Sequence, residues 1–176
     1  MSNLALKTNP AAPERADLQN AEPASEADTR VDQLRAANIN PRTGLATDYL
    51  NHFNEAVMLL DMIPDMPDCF GDFLEWHPLS YRDHFTASNF KARDLAISAY
   101  EAADPAIRSE FDNITTAMSS ILTTVGDAMR QVRHDESRAH LAEQAAGWVK
   151  PLVMLAGGMI NGGGSDADDV DLIMNQ

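Results

Sequence analysis

Residues 105–132 read PAIRSEFDNITTAMSSILTTVGDAMRQV and carry the most regular hydrophobic pattern in the chain. Apolar residues recur there at steps of alternately four and three residues, at Ile107, Phe111, Ile114, Met118, Ile121, Val125, Ala128 and Val132. This spacing places their side chains on one face of an α-helix. Asp104 and Pro105 are an N-cap residue and a proline at the first helical position, both typical of helix starts. The sequence therefore predicts one long helix.

The surroundings of this apolar seam allow two interpretations. No charged residue occurs from Asn113 to Gly126, fourteen positions that cover nearly four helical turns. The flanking positions of a coiled coil usually carry Glu, Lys or Arg, whereas here they include Thr115, Ala117 and Leu122. We therefore favour a helix enclosed by neighbouring helices of its own chain. The alternative is a homo-oligomer formed through helix 105–133.

The rest of the central region also has helical patterns. From Leu45, apolar residues recur at helical spacing until Pro64 ends the helix. Shorter helical stretches follow at 68–76, after Ser80 and at 88–103, and residues 136–147 add another. No segment shows the alternation typical of a half-buried strand. The predicted fold is all-α, a compact bundle of about four to five helices built around one long helix, with disordered N- and C-terminal tails.

Composition divides the chain into three parts. All eleven aromatic residues lie between Tyr49 and Trp148. Residues 1–44 contain no aromatic residue and few bulky apolar side chains, so we expect a mostly disordered arm with one short helix at 28–38. Residues 157–176 combine two glycine clusters with an acidic end, and glycine at this density behaves as a tether. The helical domain is therefore predicted at 45–156.

Charge and cysteine content exclude several classes of function. The 27 acidic and 13 basic residues give a net charge of −14, whereas a protein that binds nucleic-acid phosphates needs a basic surface. The single cysteine, Cys69, excludes a disulfide framework and a multi-thiolate metal site. No apolar run reaches the roughly 18 residues needed to cross a bilayer. We expect a cytoplasmic protein that binds neither nucleic acid nor membrane and uses no cofactor.

The acidic residues are concentrated in one part of the chain. Seven carboxylates and no Lys or Arg occur between Arg42 and Arg82. A surface of this kind attracts and orients a basic partner, although acidic residues also simply keep a small protein in solution. The predicted partner-binding residues in this region are Asp61, Asp65, Asp68, Asp72 and Glu75.

Two further segments are candidates for contacts with a partner. Residues 148–155 form the most apolar stretch of the chain, and they are either a last core segment or an exposed patch in which Trp148 and Leu152 contact a partner. The last ten or so residues resemble, in kind, the acidic and apolar tips by which bacterial single-stranded DNA-binding proteins recruit other proteins. The resemblance ends at Asn175 and Gln176, which replace an apolar terminus.

This resemblance implies that the tail docks into a basic groove with an apolar pocket. The residues that would make this contact are Asp168, Asp169, Asp171, Leu172 and Ile173. The alternative is an unstructured end that only keeps the protein in solution. The first hypothesis for the whole chain is therefore a non-enzymatic helical bundle, an adaptor or regulator, that binds a basic protein through its acidic face and tail.

The second hypothesis is a metal-dependent enzyme. His52 with Glu55, and His140 with Glu143, each place an imidazole and a carboxylate on one face of a helix. Helical bundles that bind two metal ions use two pairs at this spacing, although there the Glu precedes the His. These four residues are the candidate metal ligands.

Overall fold

A computed structural model describes residues 25–163, and seven α-helices account for most of them. They are α1 (Glu26–Ala36), α2 (Leu50–Met62), α3 (Cys69–Glu75), α4 (Tyr81–Ala87), α5 (Arg93–Glu101), α6 (Pro105–Gln131) and α7 (Asp135–Ile160), with a 3-10 turn at Thr47–Tyr49 before α2. Residues 25–163 contain no β-strand, only an isolated bridge between Ile39 and Ala46. The predicted all-α class is confirmed.

The helices are more numerous than the four to five predicted, and two of them are long. α6 has 27 residues and α7 has 26. The sequence analysis predicted a helix only at 136–147, but α7 continues through Pro151 to Ile160. Proline removes one hydrogen bond, to the carbonyl group four residues earlier, and here that residue is the exposed Gly147, whose carbonyl water can reach. α7 is therefore continuous through Pro151.

α6 and α7 form an antiparallel hairpin, and α2 packs on the other side of α7. The residues of α7 that face its neighbours are mostly small: Ala142, Ala145, Ala146, Val149, Ala156 and Ile160 are buried. Alanine allows the backbones of adjacent helices to approach closely. Within residues 25–163, no helix combines the length and the hydropathy needed to cross a membrane.

Side chains at the helix starts explain two of the boundaries. The Ser80 hydroxyl accepts a hydrogen bond from the backbone N–H of Asp83, at 3.1 Å, and so caps α4. The Asp104 carboxylate accepts one from the backbone N–H of Ala106, at 2.7 Å, with Pro105 in the first turn of α6. Both caps agree with the sequence signals at these positions.

The folded body extends beyond the predicted limits of 45–156. Ile39 and Thr43 are buried, and the Thr43 hydroxyl donates a hydrogen bond of 2.9 Å to the carbonyl of Ile160 at the end of α7. Gly44 has φ of +70°, and a Cβ atom there would lie 2.6 Å from the carbonyl oxygen of Ala99. Average composition did not reveal these short buried segments, because each contributes only one or two core residues. The predicted disorder of residues 1–24 and 164–176 concerns parts of the chain outside the described residues.

The buried face of α6 differs from the predicted seam. Its buried residues are Phe111, Thr115, Met118, Leu122, Val125, Gly126 and Met129. Five residues of the predicted seam are only half-buried, and they are Ile107, Ile114, Ile121, Ala128 and Val132. Ala117, Ser120 and Thr124 are exposed. The prediction that neighbouring helices enclose the uncharged part of α6 is therefore wrong. α6 has one buried face and one uncharged face at the surface.

Candidate protein-binding surface

The acidic residues predicted to bind a partner all lie at the surface. Asp61 is in the last turn of α2, Asp65 and Asp68 follow in the connection to α3, and Asp72 and Glu75 are on α3 itself. All five are exposed, and we call them together the acidic surface. A short chain segment with two turns of helix therefore presents five carboxylates to the solvent.

Few basic groups neutralise the acidic surface. The Lys150 ammonium of α7 lies 2.8 Å from a carboxylate oxygen of Asp61. Arg138 stacks its guanidinium over the ring of Phe70 in α3, 4.4 Å from the ring centre, and forms its own ion pair with Asp135. In the described part of the chain, the other four members of the acidic surface form no ion pair. The surface therefore keeps most of its negative charge.

Exposed methionines border the acidic surface. Met66, between Asp65 and Asp68 of the acidic surface, is 46% exposed. The contact between Lys150 and Asp61 aligns α7 with α2, and Met154 and Met58 each lie one turn from that contact, with exposed fractions of 77% and 54%. Methionine is flexible and polarisable, and it adapts to irregular apolar partners. Negative charge and adaptable apolar contacts are thus available side by side.

The apolar stretch 148–155 is partly core and partly surface. Val149 is buried and Leu152 is half-buried, whereas Trp148 is 58% exposed. The stretch therefore contributes both to the core and to the surface, because successive residues of α7 lie on different faces of the helix. Contact of Trp148 and Leu152 with a partner stays a prediction. Trp148 borders a groove of about 310 Å³ between α6 and α7, which we call the apolar groove. Its lining residues are Ser120, Ile121, Thr124, Val125, Ala128, Leu141, Gln144 and Trp148.

His52 has a structural role rather than that of a metal ligand. Its Nε2 accepts a hydrogen bond from the backbone N–H of Leu79, at 3.1 Å, so the lone pair that a metal would need is already used. The imidazole also stacks on the indole of Trp76, with ring centres 4.7 Å apart. Burial, with a smaller contribution from nearby His84, lowers the pKa of His52 to about 4. His52 is therefore a neutral core residue.

The remaining candidate ligands do not form a site with His52. Glu55 is exposed on α2, and His140 and Glu143 are exposed on α7. Among residues 25–163, no three His, Cys, Asp or Glu side chains are grouped so that they could hold a metal ion. The spacing that suggested a metal site is a common helical interval, shared here by one core histidine and three surface residues.

A further groove on α6 was not revealed by the sequence. A groove of about 690 Å³ runs along the other side of α6, and we call it the hydroxyl groove. Its lining residues are Tyr49, Pro78, Leu79, Ser80, Tyr81, Tyr100, Asp112, Thr115, Thr116, Ser119, Ser120, Thr123 and Thr124. The hydroxyl of Tyr100 donates to the carboxylate of Asp112, at 2.7 Å, and that of Tyr49 donates to the carbonyl of Leu79, at 2.7 Å.

The tyrosines of this groove are not set up for acid–base chemistry. Burial raises the pKa of Tyr49 to about 12, and burial followed by the hydrogen bond to Asp112 raises the pKa of Tyr100. The hydroxyl of Tyr81 accepts a hydrogen bond from the backbone N–H of Ala46, at 2.9 Å. These hydrogen bonds of the tyrosine hydroxyls stabilise the fold.

Comparisons of the chain with protein families, with curated proteins and with solved structures find no match. The predicted contacts of Asp168, Asp169, Asp171, Leu172 and Ile173 lie outside the described residues and stay a prediction. The functional argument rests on the acidic surface and on the exposed face of α6.

Proposed function

We propose that this chain is a non-enzymatic binding protein, an adaptor or a regulator, which holds a basic segment of another protein on its acidic surface. The observation that carries the proposal is the exposure of Asp61, Asp65, Asp68, Asp72 and Glu75, of which only Asp61 has an ion-pair partner within the described residues. Opposite charge on the partner would accelerate encounter and orient the complex. The net charge of −14 disfavours a nucleic acid in this role.

The exposed methionines define the partner more closely. Charge alone gives weak, salt-sensitive binding, and affinity requires the burial of apolar area. Met58, Met66 and Met154 provide that area beside the carboxylates. The partner segment is therefore amphipathic, with Lys or Arg on one face and bulky apolar residues on the other, and we place the encounter in the cytoplasm. In this proposal the tail residues, including Asp168, Asp169 and Leu172, add a second contact.

Binding of designed peptides to the full chain tests this proposal. The probe is a helical peptide of Lys and Leu with all leucines on one face, and it is compared with a Lys–Gln peptide of the same charge and a Glu–Leu peptide of the same shape. We expect the Lys–Leu peptide to bind at least about ten times more tightly than the Lys–Gln peptide, since it alone buries apolar area. The Glu–Leu peptide should not bind. Equal affinity for the first two peptides would contradict the role of the methionines.

Charge reversal locates the binding site. The double variant Asp65→Lys, Glu75→Lys changes two exposed carboxylates without touching the contact between Asp61 and Lys150. The control, Asp32→Lys with Glu143→Lys, changes the net charge equally at exposed positions of α1 and α7. At low salt, we expect the first variant to bind the Lys–Leu peptide about tenfold more weakly than the control does. Thermal unfolding should be nearly unchanged in both, and equal affinities would exclude the acidic surface as the site.

A further inference from the structure

A second surface, on α6, differs in chemistry from the acidic surface. Asn113, Ala117, Ser120 and Thr124 are exposed and follow one another at steps of four, three and four residues along the helix. They form a ridge about 17 Å long, given a rise of about 1.5 Å per residue. We call this ridge, together with the grooves on its two sides, the uncharged face.

The ridge lies between two grooves. Ser120 and Thr124 line both the apolar groove, which Trp148 borders, and the hydroxyl groove, which Tyr100 borders. Among the lining residues of the two grooves, only Asp112 carries a charge, and its carboxylate is held by the hydroxyl of Tyr100. A convex row of small side chains is thus flanked by a concave surface on each side.

The charge of the molecule restricts what can cover this face. A partner with a charged residue at the centre of the contact would bury that charge without a counter-ion, which is costly. The partner must therefore present an uncharged helix with small residues. A second copy of this chain presents such a helix, and pairing through an uncharged face avoids direct contact between carboxylates of two molecules of net charge −14.

We propose that the uncharged face is the interface between two copies of the chain, with the two α6 helices antiparallel across a two-fold axis near Ser120. The two ridges would face each other, and their small side chains would allow the two helices to approach closely. A two-fold interface uses the same surface on both copies. The exposed indole of Trp148 would lose its contact with water.

The residues at the ends of the ridge favour the antiparallel arrangement. With the axis near Ser120, Asn113 of one copy lies opposite Asp127 of the other, and the exposed Glu110 lies near the exposed Arg130. A parallel arrangement would place Glu110 beside Glu110 and Asp127 beside Asp127, which like charges disfavour. Within each copy, Arg130 also pairs with Asp127, at 2.6 Å. This interface does not depend on the proposed function, because it uses neither the acidic surface nor its methionines.

Sedimentation equilibrium of the full-length chain tests the proposal. The wild type should dimerise reversibly as its concentration rises from micromolar to millimolar. Ser120→Arg places two like charges at the axis and should raise the dissociation constant of the dimer at least about 100-fold. Ser98→Arg is the control, because Ser98 is an exposed serine on α5, away from the ridge, and it should dimerise as the wild type does. A wild type that stays monomeric up to millimolar concentration would overturn the proposal.

A cysteine variant tests the position of the axis. Ser120→Cys should form a cross-linked dimer under mild oxidation, since two residues on an axis between close-packed small side chains meet within reach of a disulfide. Ser98→Cys should cross-link much more slowly, and the native Cys69 is buried. If Ser120→Arg dimerises like the wild type, or if the two cysteine variants cross-link equally fast, the dimer uses another face and the inference is wrong.

Discussion

His52 is one buried residue that contacts two other segments of the chain through its side chain and its backbone carbonyl. Its Nε2 accepts from the backbone N–H of Leu79, its carbonyl oxygen accepts from the indole N–H of Trp76 at 2.9 Å, and its ring stacks on that indole. These contacts connect α2 to the end of α3 and to the loop before α4. The hydrogen bond from Leu79 requires a neutral imidazole, because a protonated Nε2 cannot accept a hydrogen bond.

The stability of the protein should consequently depend on the protonation of His52. The pKa is about 4 in the folded protein, below its ordinary value of 6.5, so the unfolded chain binds the proton more readily between these values. We expect the free energy of unfolding to fall as the pH falls from 6.5 toward 4. His52→Gln retains an acceptor for Leu79 but does not titrate, so its stability should change less over this range. Urea unfolding at a series of pH values measures the difference.

His140→Gln is the control for this pH experiment. His140 is exposed on α7, and its replacement should leave the pH dependence of the wild type in place. If the wild type and His52→Gln lose stability in parallel over this pH range, another group is responsible and the role given to His52 is wrong.

Signals that depend on a few adjacent residues could be read from the sequence. The caps at Ser80 and Asp104 are examples, because an N-cap requires only a side-chain oxygen and the next three backbone N–H groups. The role of His52 could not be read in this way. Its spacing to Glu55 suggested a metal pair, but its partners, Leu79 and Trp76, are more than twenty positions away, and only the fold brings them together.

Among the helices, α6 shows what the hydrophobic pattern can and cannot locate. The alternating steps correctly identified a long amphipathic helix, and Phe111, Met118 and Val125 of the predicted seam are buried. The core, however, includes Leu122 and Met129 in place of the isoleucines. Both arrangements have the same spacing, so the pattern alone does not give the rotation of the helix relative to its neighbours. Burial of the alanine-rich face of α7 decides that rotation.

Alanine substitutions at two adjacent positions test the orientation of α6. Leu122 is buried and Ile121 is half-buried. Leu122→Ala should lower the free energy of unfolding by about 2–5 kcal/mol, since it leaves a cavity in the core. Ile121→Ala should cost about 1 kcal/mol or less, because its neighbourhood can be filled by water. Urea unfolding at low protein concentration, where the chain is monomeric, compares them.

A larger loss for Ile121→Ala than for Leu122→Ala would contradict this orientation. It would mean that the originally predicted seam faces the core. Equal m-values for the two variants and the wild type are the control, because they show that all three proteins expose the same surface on unfolding.

For the molecule as a whole, the two proposed surfaces differ in their response to salt. Binding of a basic peptide to the acidic surface depends on attraction, which salt screens over about 10 Å at 0.1 M. Pairing through the uncharged face is opposed by repulsion between two chains of charge −14, which salt screens as well. Added salt should therefore weaken the binding of the basic peptide and strengthen the pairing of two copies.

One salt series measured with two methods checks this expectation. Peptide binding followed by fluorescence should weaken steadily with added sodium chloride, whereas the dimer in sedimentation equilibrium should become tighter. The Ser120→Arg variant is the control for the peptide experiment, since its acidic surface is unchanged and its peptide binding should follow the wild type. A dimer that dissociates with added salt would show that ion pairs, and not the uncharged face, hold it together.

The folded domain was predicted at 45–156, whereas buried residues of the described chain extend from Leu34 to Ile160. The concentration of aromatic residues correctly indicated where most of the core lies. The segment that contains Ile39 and Thr43 was assigned to the arm because its composition is polar on average. The glycines at 157 and 158 suggested a tether, but both glycines belong to α7, and Gly157 packs against Leu50 of α2. Specific contacts outweigh average composition at such boundaries.

The hydrogen bond between Thr43 and Ile160 holds the loop before α2 against the end of α7. Arg42 also packs against Gly162 at this end of the helix. Arg138, near the other end of this helix, contacts the α3 region of the acidic surface, about 33 Å away for a rise of about 1.5 Å per residue. A label attached at the exposed Asn161, just after α7, would therefore lie far from α3 and leave that part of the acidic surface accessible.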